Sequence, residues 1–394
     1  MKLLGAIAAA SCAAIALLAG AVPASAAQTP ASRVKTIEVS DKTVQLSPSY
    51  ATKSADAAAS ALCSPGLNLY NRTQACWEHI LTFTFLNEDE EPVGTLVSDW
   101  VQYMALNIKG TTWTERDTVI LAEYKGETAP VVVDLIPSCG SPCHATGHFS
   151  GVVEVGLTGT IDYTDGVAKN ASNTTSTHYL LDYDAPGYIP LTVVAWNSPV
   201  EYRCDNQLTG LAGAGCVFPT YTPTFVIDTA DYGAAAQLIA WAQVYMNAHW
   251  GWRGHGQPLT RQEGTKAANT NRQVICGRRW TAYPAWTADN NKVRQPDSCD
   301  EFPFAATNQS GGKAVANGAA CVQLKAVKTN DKGGTPAKIW TRVEPVGSVD
   351  RGAACVRGHI PLLLNTEVGQ VAYRDFIKAT RLLNNNPFWV AVSA

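Results

Sequence analysis

The stretch Cys299-Asp300-Glu301-Phe302-Pro303-Phe304 sets two adjacent carboxylates between a cysteine and an aromatic-proline-aromatic run. Carboxylates can act as general bases toward water or as oxygen ligands of a hard cation. Pro303 confines Phe302 to extended backbone and blocks a helix, so the pair is read as lying on a strand. Alternation along that strand sends Asp300 and Glu301 to opposite faces, one toward a cleft and the other toward a scaffold partner. An isolated Asp-Glu pair is ordinarily surface charge, so its surroundings have to separate the two readings.

Two other clusters have ligand-like composition. Cys139-Gly-Ser-Pro-Cys143-His144-Ala-Thr-Gly-His148 offers four zinc-type ligands, but oxidation would close Cys139 and Cys143 into a disulfide and leave no thiolates. The disulfide-closed loop is the preferred reading. His249-Trp-Gly-Trp-Arg-Gly-His255 is read as a packed or exposed turn. Asn71, Asn170 and Asn173 fit the short glycosylation pattern, which carries little information by itself. The chain has no nucleophile elbow, Walker loop or dinucleotide fingerprint.

The elements that must position Asp300 and Glu301 belong to a chain of 394 residues, 46% hydrophobic and 16% charged. That composition excludes a largely disordered protein, and the length suits two domains. Lys2 followed by an apolar run to Val22 and a small-residue site near Ala26–Ala27 reads as an export signal over 1–27. No later apolar run is long enough to span a membrane. Leaving out Cys12, ten cysteines remain, an even number that suits disulfides in an oxidising compartment. The sequence does not fix their connectivity. Pairing neighbours joins Cys63 with Cys76, Cys139 with Cys143, Cys204 with Cys216, Cys276 with Cys299 and Cys321 with Cys355, each pair bracketing a short loop.

Residues 28–60 lack periodicity and read as a linker or pro-segment. From 61 to 205, alternating runs such as Leu81-Thr82-Phe83-Thr84-Phe85 between turn residues predict an all-β, sandwich-like domain. From 206 to 394 the pattern is α+β, with helices expected over Ala234–Asn247 and Glu367–Leu383. Charge divides along the same line: 11 basic and 23 acidic residues precede Gly251, whereas 19 and 10 follow. A basic C-terminal half suits a polyanionic partner or, equally, a cationic solvated surface.

The Cys-Asp-Glu-aromatic-Pro block resembles the secreted deoxyribonucleases of the NucA/NucB type. Further blocks resemble the exported branch of that family. Ile360-Pro361-Leu-Leu-Leu-Asn365-Thr-Glu-Val-Gly369 has the Pro, Asn and Gly spacing, and Arg381 precedes Pro387-Phe388-Trp389-Val390. Asn271-Arg272 before Cys276 and Gly215-Cys216-Val217-Phe218-Pro219 also fit. The resemblance covers about 206–394 and implies a ββα-metal type core holding one Mg²⁺ or Mn²⁺. It implies Asp300 as general base and Asn365 as a neutral oxygen ligand, where the residues alone suggest a helix cap. Glu301 is left to orient the water or the metal, or to anchor the hairpin. Arg381 would support the site or the phosphate, and Arg278, Arg279, Lys292 and Arg294 are candidate phosphate contacts.

One departure is the 65-residue separation of Asp300 and Asn365, which implies an inserted loop over about Ala314–Arg357, tied by Cys321 and Cys355. Inside it, Asp350-Arg351-Gly352-Ala353 resembles the family's Asn-Arg-Gly-Ala signature and makes Asp350 the alternative ligand. The resulting expectation is an exported, metal-dependent, sequence-nonspecific DNA endonuclease acting on extracellular DNA, with no obligate protein partner and no membrane association. A rival is a secreted glycan- or surface-binding protein with an inactive nuclease-like domain. A third is a toxin-like nuclease needing an immunity partner.

Overall fold

The computed structural model describes residues 34–43, 45–49, 66, 68–208, 210, 212–277, 279–288, 293–329 and 334–393. The expected export signal, Cys63, Arg278 and Lys292 lie outside the described residues. Among the described residues no helix is long and apolar enough to cross a membrane.

The N-terminal strands are β1 (Thr36–Thr43), β2 (Gln74–Leu86), β3 (Pro92–Ala105), β4 (Thr112–Gly126), β5 (Val132–Cys139), β6 (Cys143–Val152), β7 (Thr158–Asp165), β8 (Thr177–Asp184), β9 (Ile189–Pro190) and β10 (Val194–Asn197). They join in the order β9-β1-β2-β3-β4-β7-β6-β5-β8-β10. This is one curled sheet, not the two separate sheets expected of a sandwich. The curl is made at β6, where Cys143–His148 pair with β7 and Phe149–Val152 turn to pair with β5. Gly147 and Gly151, at φ 88° and 152°, carry the bend through backbone conformations that L side chains resist. At the open ends, β9 and β10 are close neighbours in sequence, which draws the two edges together. β1 corrects the expectation of a linker over 28–60, because Ile37 and Val39 alternate into the core and the strand pairs antiparallel with β2.

Strict alternation fills the interior of the curl with aromatic rings, among them Trp77, Trp100, Trp196, Phe83, Phe85, Tyr163 and Tyr179. A polar group sits among them. Gln102 Oε1 accepts from Trp77 and Trp196 Nε1, both at 2.9 Å, and its Nε2 donates to Glu115 at 3.1 Å. Tyr179 donates to the other Glu115 oxygen at 2.6 Å. Asp117, two residues on, is fully buried beside this network. Burial pushes Glu115 well above the carboxylate range, with Asp117 adding to it, and raises Asp117 to about 7.

Acids whose native pKa is raised bind more protons folded than unfolded above pH ~4. Their contribution is therefore complete below that pH and is lost as the pH climbs through about 7 for Asp117. Thermal unfolding should show Asp117→Asn more stable than the wild type at pH 8, with the gap closing toward pH 4. A gap independent of pH would contradict this.

In the C-terminal part, helices α1 (Thr229–Tyr245) and α2 (Thr265–Cys276) accompany strands β11 (Asp297–Phe302), β12 (Val322–Lys328), β13 (Trp340–Pro345) and β14 (Val356–Pro361). A short turn capped by Asp228, which accepts from Ala230 N at 2.7 Å, opens α1; Gly233, at φ 47°, breaks it from the helix proper, which begins at Ala234 where the sequence pattern places it. The second expected helix is longer at its start, running over 362–380 with a π-turn at Glu367–Ala372. A separate small sheet pairs Thr224–Asp228 in parallel with Pro387–Ser393, which also pairs with Leu259–Thr260.

The four longer strands join as β11-β14-β12-β13, with β12 parallel to β14. The expected inserted loop over Ala314–Arg357 is therefore two strands of this sheet. Val322, Leu324 and Ala326 alternate inward along β12, a two-residue period within a segment that resemblance alone marks as surplus. Helix α1 covers the inward face, and the fit is close enough that a Cβ on Gly358 would lie 2.2 Å from Leu238.

Four of the expected disulfides are present: Cys139 with Cys143, Cys204 with Cys216, Cys276 with Cys299 and Cys321 with Cys355. Cys76 is disulfide-bonded as well, and its expected partner Cys63 falls outside the described residues. Bonding of Cys139 to Cys143 removes the zinc reading of that loop.

Two of these bridges correct the picture of ties around surface loops. Cys204 is fully buried and directly opposite Cys216 across the antiparallel strands Tyr202–Asp205 and Gly215–Val217, so both sulfurs belong to the core of the curled sheet. Cys355 is likewise buried, and with Cys321 it packs on Ile275 of α2 in a small apolar cluster of its own. That bridge joins the residues immediately preceding the parallel strands β12 and β14, so it fixes the start of their pairing and ties no free loop. Cys204 and Cys355 are thus packing residues as well as cross-links, and neither offers a thiol to chemistry.

Candidate active site

β11 is an edge strand, antiparallel to β14, with Asp300 opposite Gly358 and Glu301 opposite Arg357. Phe302 is fully buried in the core beneath α1, so Ser298 and Asp300 share that inward side while Asp297, Cys299 and Glu301 face outward. The two carboxylates therefore occupy opposite faces, as strand alternation predicts.

Asp300 is partly buried and accepts a hydrogen bond from Glu301 N at 2.9 Å. Burial, then the neighbouring Glu301 charge, push it up to about 8, with Arg272 acting in the opposite sense. Among the described residues no salt bridge neutralises Asp300. Glu301 is 6% exposed and is raised chiefly by burial. Arg272 on α2 bonds it at 3.3 Å and holds the shift back. On its outward side Glu301 therefore anchors α2 to β11, an attachment the bridge between Cys276 and Cys299 makes covalent.

Cys276, Cys299 and Glu301 bring ligand-type atoms within 4.8 Å of one another. The two sulfurs are bonded to each other and offer no thiolate, so this trio is unsuited to a metal. The inward side fits a hard cation better. Asn365 Nδ2 donates to Ser298 Oγ at 2.7 Å and to the Cys299 carbonyl at 2.8 Å. A carbonyl can only accept, which fixes the amide orientation and leaves Asn365 Oδ1 at the free end. Asn365 is the fourth residue of its helix, not its cap. A neutral amide oxygen and an unneutralised carboxylate on one side of an edge strand are donors suited to Mg²⁺ or Mn²⁺.

Asp350, the alternative ligand, is exposed and turned into its own loop, where Oδ1 accepts from Gly352 N at 2.9 Å. Arg351 ties that loop to the end of α1 through Tyr245 O at 2.7 Å. Among the described residues no hydrogen bond or ion pair joins Asp350 to Asp300.

Arg381 needs a clearer correction. It is fully buried, and its three guanidinium nitrogens are taken by Asp205 and the Ile108 carbonyl, with the shortest contact to Asp205 at 2.6 Å. Arg203 contacts the same carboxylate at 3.2 Å, and Arg72 donates to the carbonyls of Thr380 and Arg381. Arg381 ends the 362–380 helix in the left-handed region, φ 45°, which turns the chain into this junction with the strand Tyr202–Asp205. It is a structural cation, fully buried and held by Asp205, and does not reach the surface where a phosphate would lie. Arg279 and Arg294 are exposed, as phosphate contacts require.

The sequence reading passes over His359 and Asp297. His359 bonds Asp297 at 2.7 Å through Nδ1, and its ring lies between those of Trp280 and Tyr283. A lone histidine in an apolar strand gives no motif. The only available signal is its place two residues before Pro361, beside a block already noted.

Residues 248–335 match the family model described as deoxyribonuclease NucA/NucB. Neither a curated protein nor a solved structure matches the chain. This part of the protein is accordingly similar to the deoxyribonuclease domains of that family. The match includes Arg272, Asp300 and Glu301 and stops short of Asp350, Asn365 and Arg381.

Proposed function

We propose that the protein is an exported, divalent-cation-dependent and sequence-nonspecific DNA endonuclease that degrades extracellular DNA. The observation that carries this reading is Asp300, a carboxylate raised to about 8 on the side of β11 where Asn365 bonds Ser298, in a part of the chain that matches a deoxyribonuclease family. β11, β14 and the helix from 362 supply the two strands and helix of a ββα-type core, with the Asn365 oxygen as the ligand that would hold the cation. When bound, such an ion offsets charge on the phosphate and the departing oxygen. Asp300 is positioned to take the proton of the attacking water. Glu301 and Arg272 keep β11 against α2, and Arg279 and Arg294 meet the DNA backbone. The domain division is taken near 206, with the curled sheet as an accessory domain. Four disulfides support an oxidising, extracellular setting.

Supercoiled plasmid incubated with the oxidised protein should be nicked in Mg²⁺ or Mn²⁺ and left intact in EDTA. Absence of nicking in both metals, with DNA still retained in a low-salt gel shift, would instead identify a binding protein with an inactive nuclease-like domain.

A further inference from the structure

The loop following α2 forms an aromatic structure that the cleavage chemistry does not use. His359 is its centre, with the Tyr283 ring at 3.7 Å and 6° on one side and the Trp280 ring at 3.9 Å and 24° on the other. Asp297 fastens His359, Tyr283 and Trp286, bonding His359 Nδ1 at 2.7 Å and accepting from Tyr283 N at 2.8 Å and Trp286 Nε1 at 3.1 Å. The Arg357 guanidinium lies over Trp280 at 5.2 Å and donates to the Ile275 carbonyl at 3.0 Å, which braces the loop from beneath. Three rings are thus fixed in a stack, and one end of the stack is open. Tyr283 gives one face to His359 and meets Trp286 edge-on at 6.3 Å, yet 36% of it remains exposed.

Cations lie on the elements next to that end. Lys325 is the register partner of His359 on β12 and is 40% exposed, with Glu344 as its ion-pair partner at 2.9 Å. Arg279 leaves the loop just before Trp280, and Arg294 lies on the short hairpin that also carries Trp286; both are exposed. A flat, immobilised ring among cations matches one chemistry, a nucleobase free of its duplex partner with phosphates on either side. A paired base inside a duplex has no free face to offer.

We propose that Tyr283 is the stacking platform for an unpaired nucleobase, with Lys325, Arg279 and Arg294 serving the flanking phosphates, so that single-stranded or locally melted DNA is a preferred substrate. This rests on the DNA-endonuclease reading and adds a substrate class to it. Stacking on a ring is tolerant of base identity, so the platform favours unpaired strands without imposing a sequence.

The test is fluorescence anisotropy with the full oxidised protein in EDTA, using labelled oligo-dT and a mixed-sequence duplex. Tyr283→Ala should weaken oligo-dT binding by roughly 5–100-fold, the range for loss of one base–aromatic stack, and leave duplex binding within about twofold. Tyr283→Phe keeps the ring and should bind as the wild type does, which also controls for folding. Unchanged oligo-dT affinity in Tyr283→Ala, or equal losses for both DNAs, overturns the platform. Wild-type plasmid nicking is scored in parallel. If nicking persists while Tyr283→Ala binds oligo-dT normally, the platform alone fails; if the wild type neither nicks nor binds, both readings fail.

Discussion

Asp300→Asn should lose nicking activity by about 10²–10⁴-fold, the range ascribed to a positioned general base, while melting no lower than the wild type. Most substitutions of a partly buried residue destabilise, so the combination is diagnostic. Here the native carboxylate is costly to the fold, because burial and the adjacent Glu301 charge both oppose its ionisation. Asparagine keeps the size and an oxygen able to accept from Glu301 N, and it removes the charge. Plasmid nicking and differential scanning fluorimetry on the same preparation provide both readouts. Equal activity in wild type and mutant would remove Asp300 from the chemistry, and a large drop in melting temperature would make it a structural group.

Asp205→Ala should give the largest loss of stability. The substitution leaves Arg381 and Arg203 buried without their shared carboxylate, and Arg72 lies close enough to repel both. Burial and its Arg203 neighbour already lower Arg72 to about 9. Removing one partner of a buried ion pair costs about 3–5 kcal/mol. For a folding unit of about 150–250 residues each kcal/mol shifts Tm by about 2–4 °C, so a fall of roughly 10 °C is expected. Asp205→Asn, which retains acceptor capacity at the same place, should lose less. The two parts of the chain should also lose their joint unfolding transition, because the same carboxylate links the strand Tyr202–Asp205 to the end of the 362–380 helix. A change below about 1 kcal/mol in Asp205→Ala would show that the arginines find other partners, as surface ion pairs do.

These two residues differ in how far the sequence reveals them. Asp300 is legible because its information is local: a proline fixes the strand, alternation assigns the faces, and the neighbouring residues carry the resemblance. Asn365 is legible by its spacing, although its bonds to Ser298 and Cys299 are visible only in three dimensions. Arg381 is misread because spacing before Pro387-Phe388-Trp389 says nothing of Asp205, 176 residues away. A buried charge is recognised by its partner, and the partner here belongs to another sheet. The cysteines divide in the same way. Pairing of neighbours finds the partners of Cys204 and Cys355, but that both lie in the core depends on strands the spacing does not reveal. The alternating strands of the curled sheet are plain in the sequence, whereas its closure depends on how β6 divides its pairing between β5 and β7. The segment after Cys321 reads as surplus when family spacing is followed and its own inward alternation is not.

The small sheet holding Thr224–Asp228 against Pro387–Ser393 also governs timing. A chain emerges from the ribosome or a translocation channel in order, and strand 224–228 waits for a partner about 160 positions behind it. Until then Phe225 and Ile227, buried in the finished core, lack their neighbours Phe388 and Val390. The Arg381 junction lies in the same late segment and is equally unavailable to a nascent chain. A partly delivered polypeptide therefore holds the Asp300 strand without the clamp that completes its domain. This order of assembly works as an interlock, postponing completion of the domain until Pro387–Ser393 is clear of the machinery that made it.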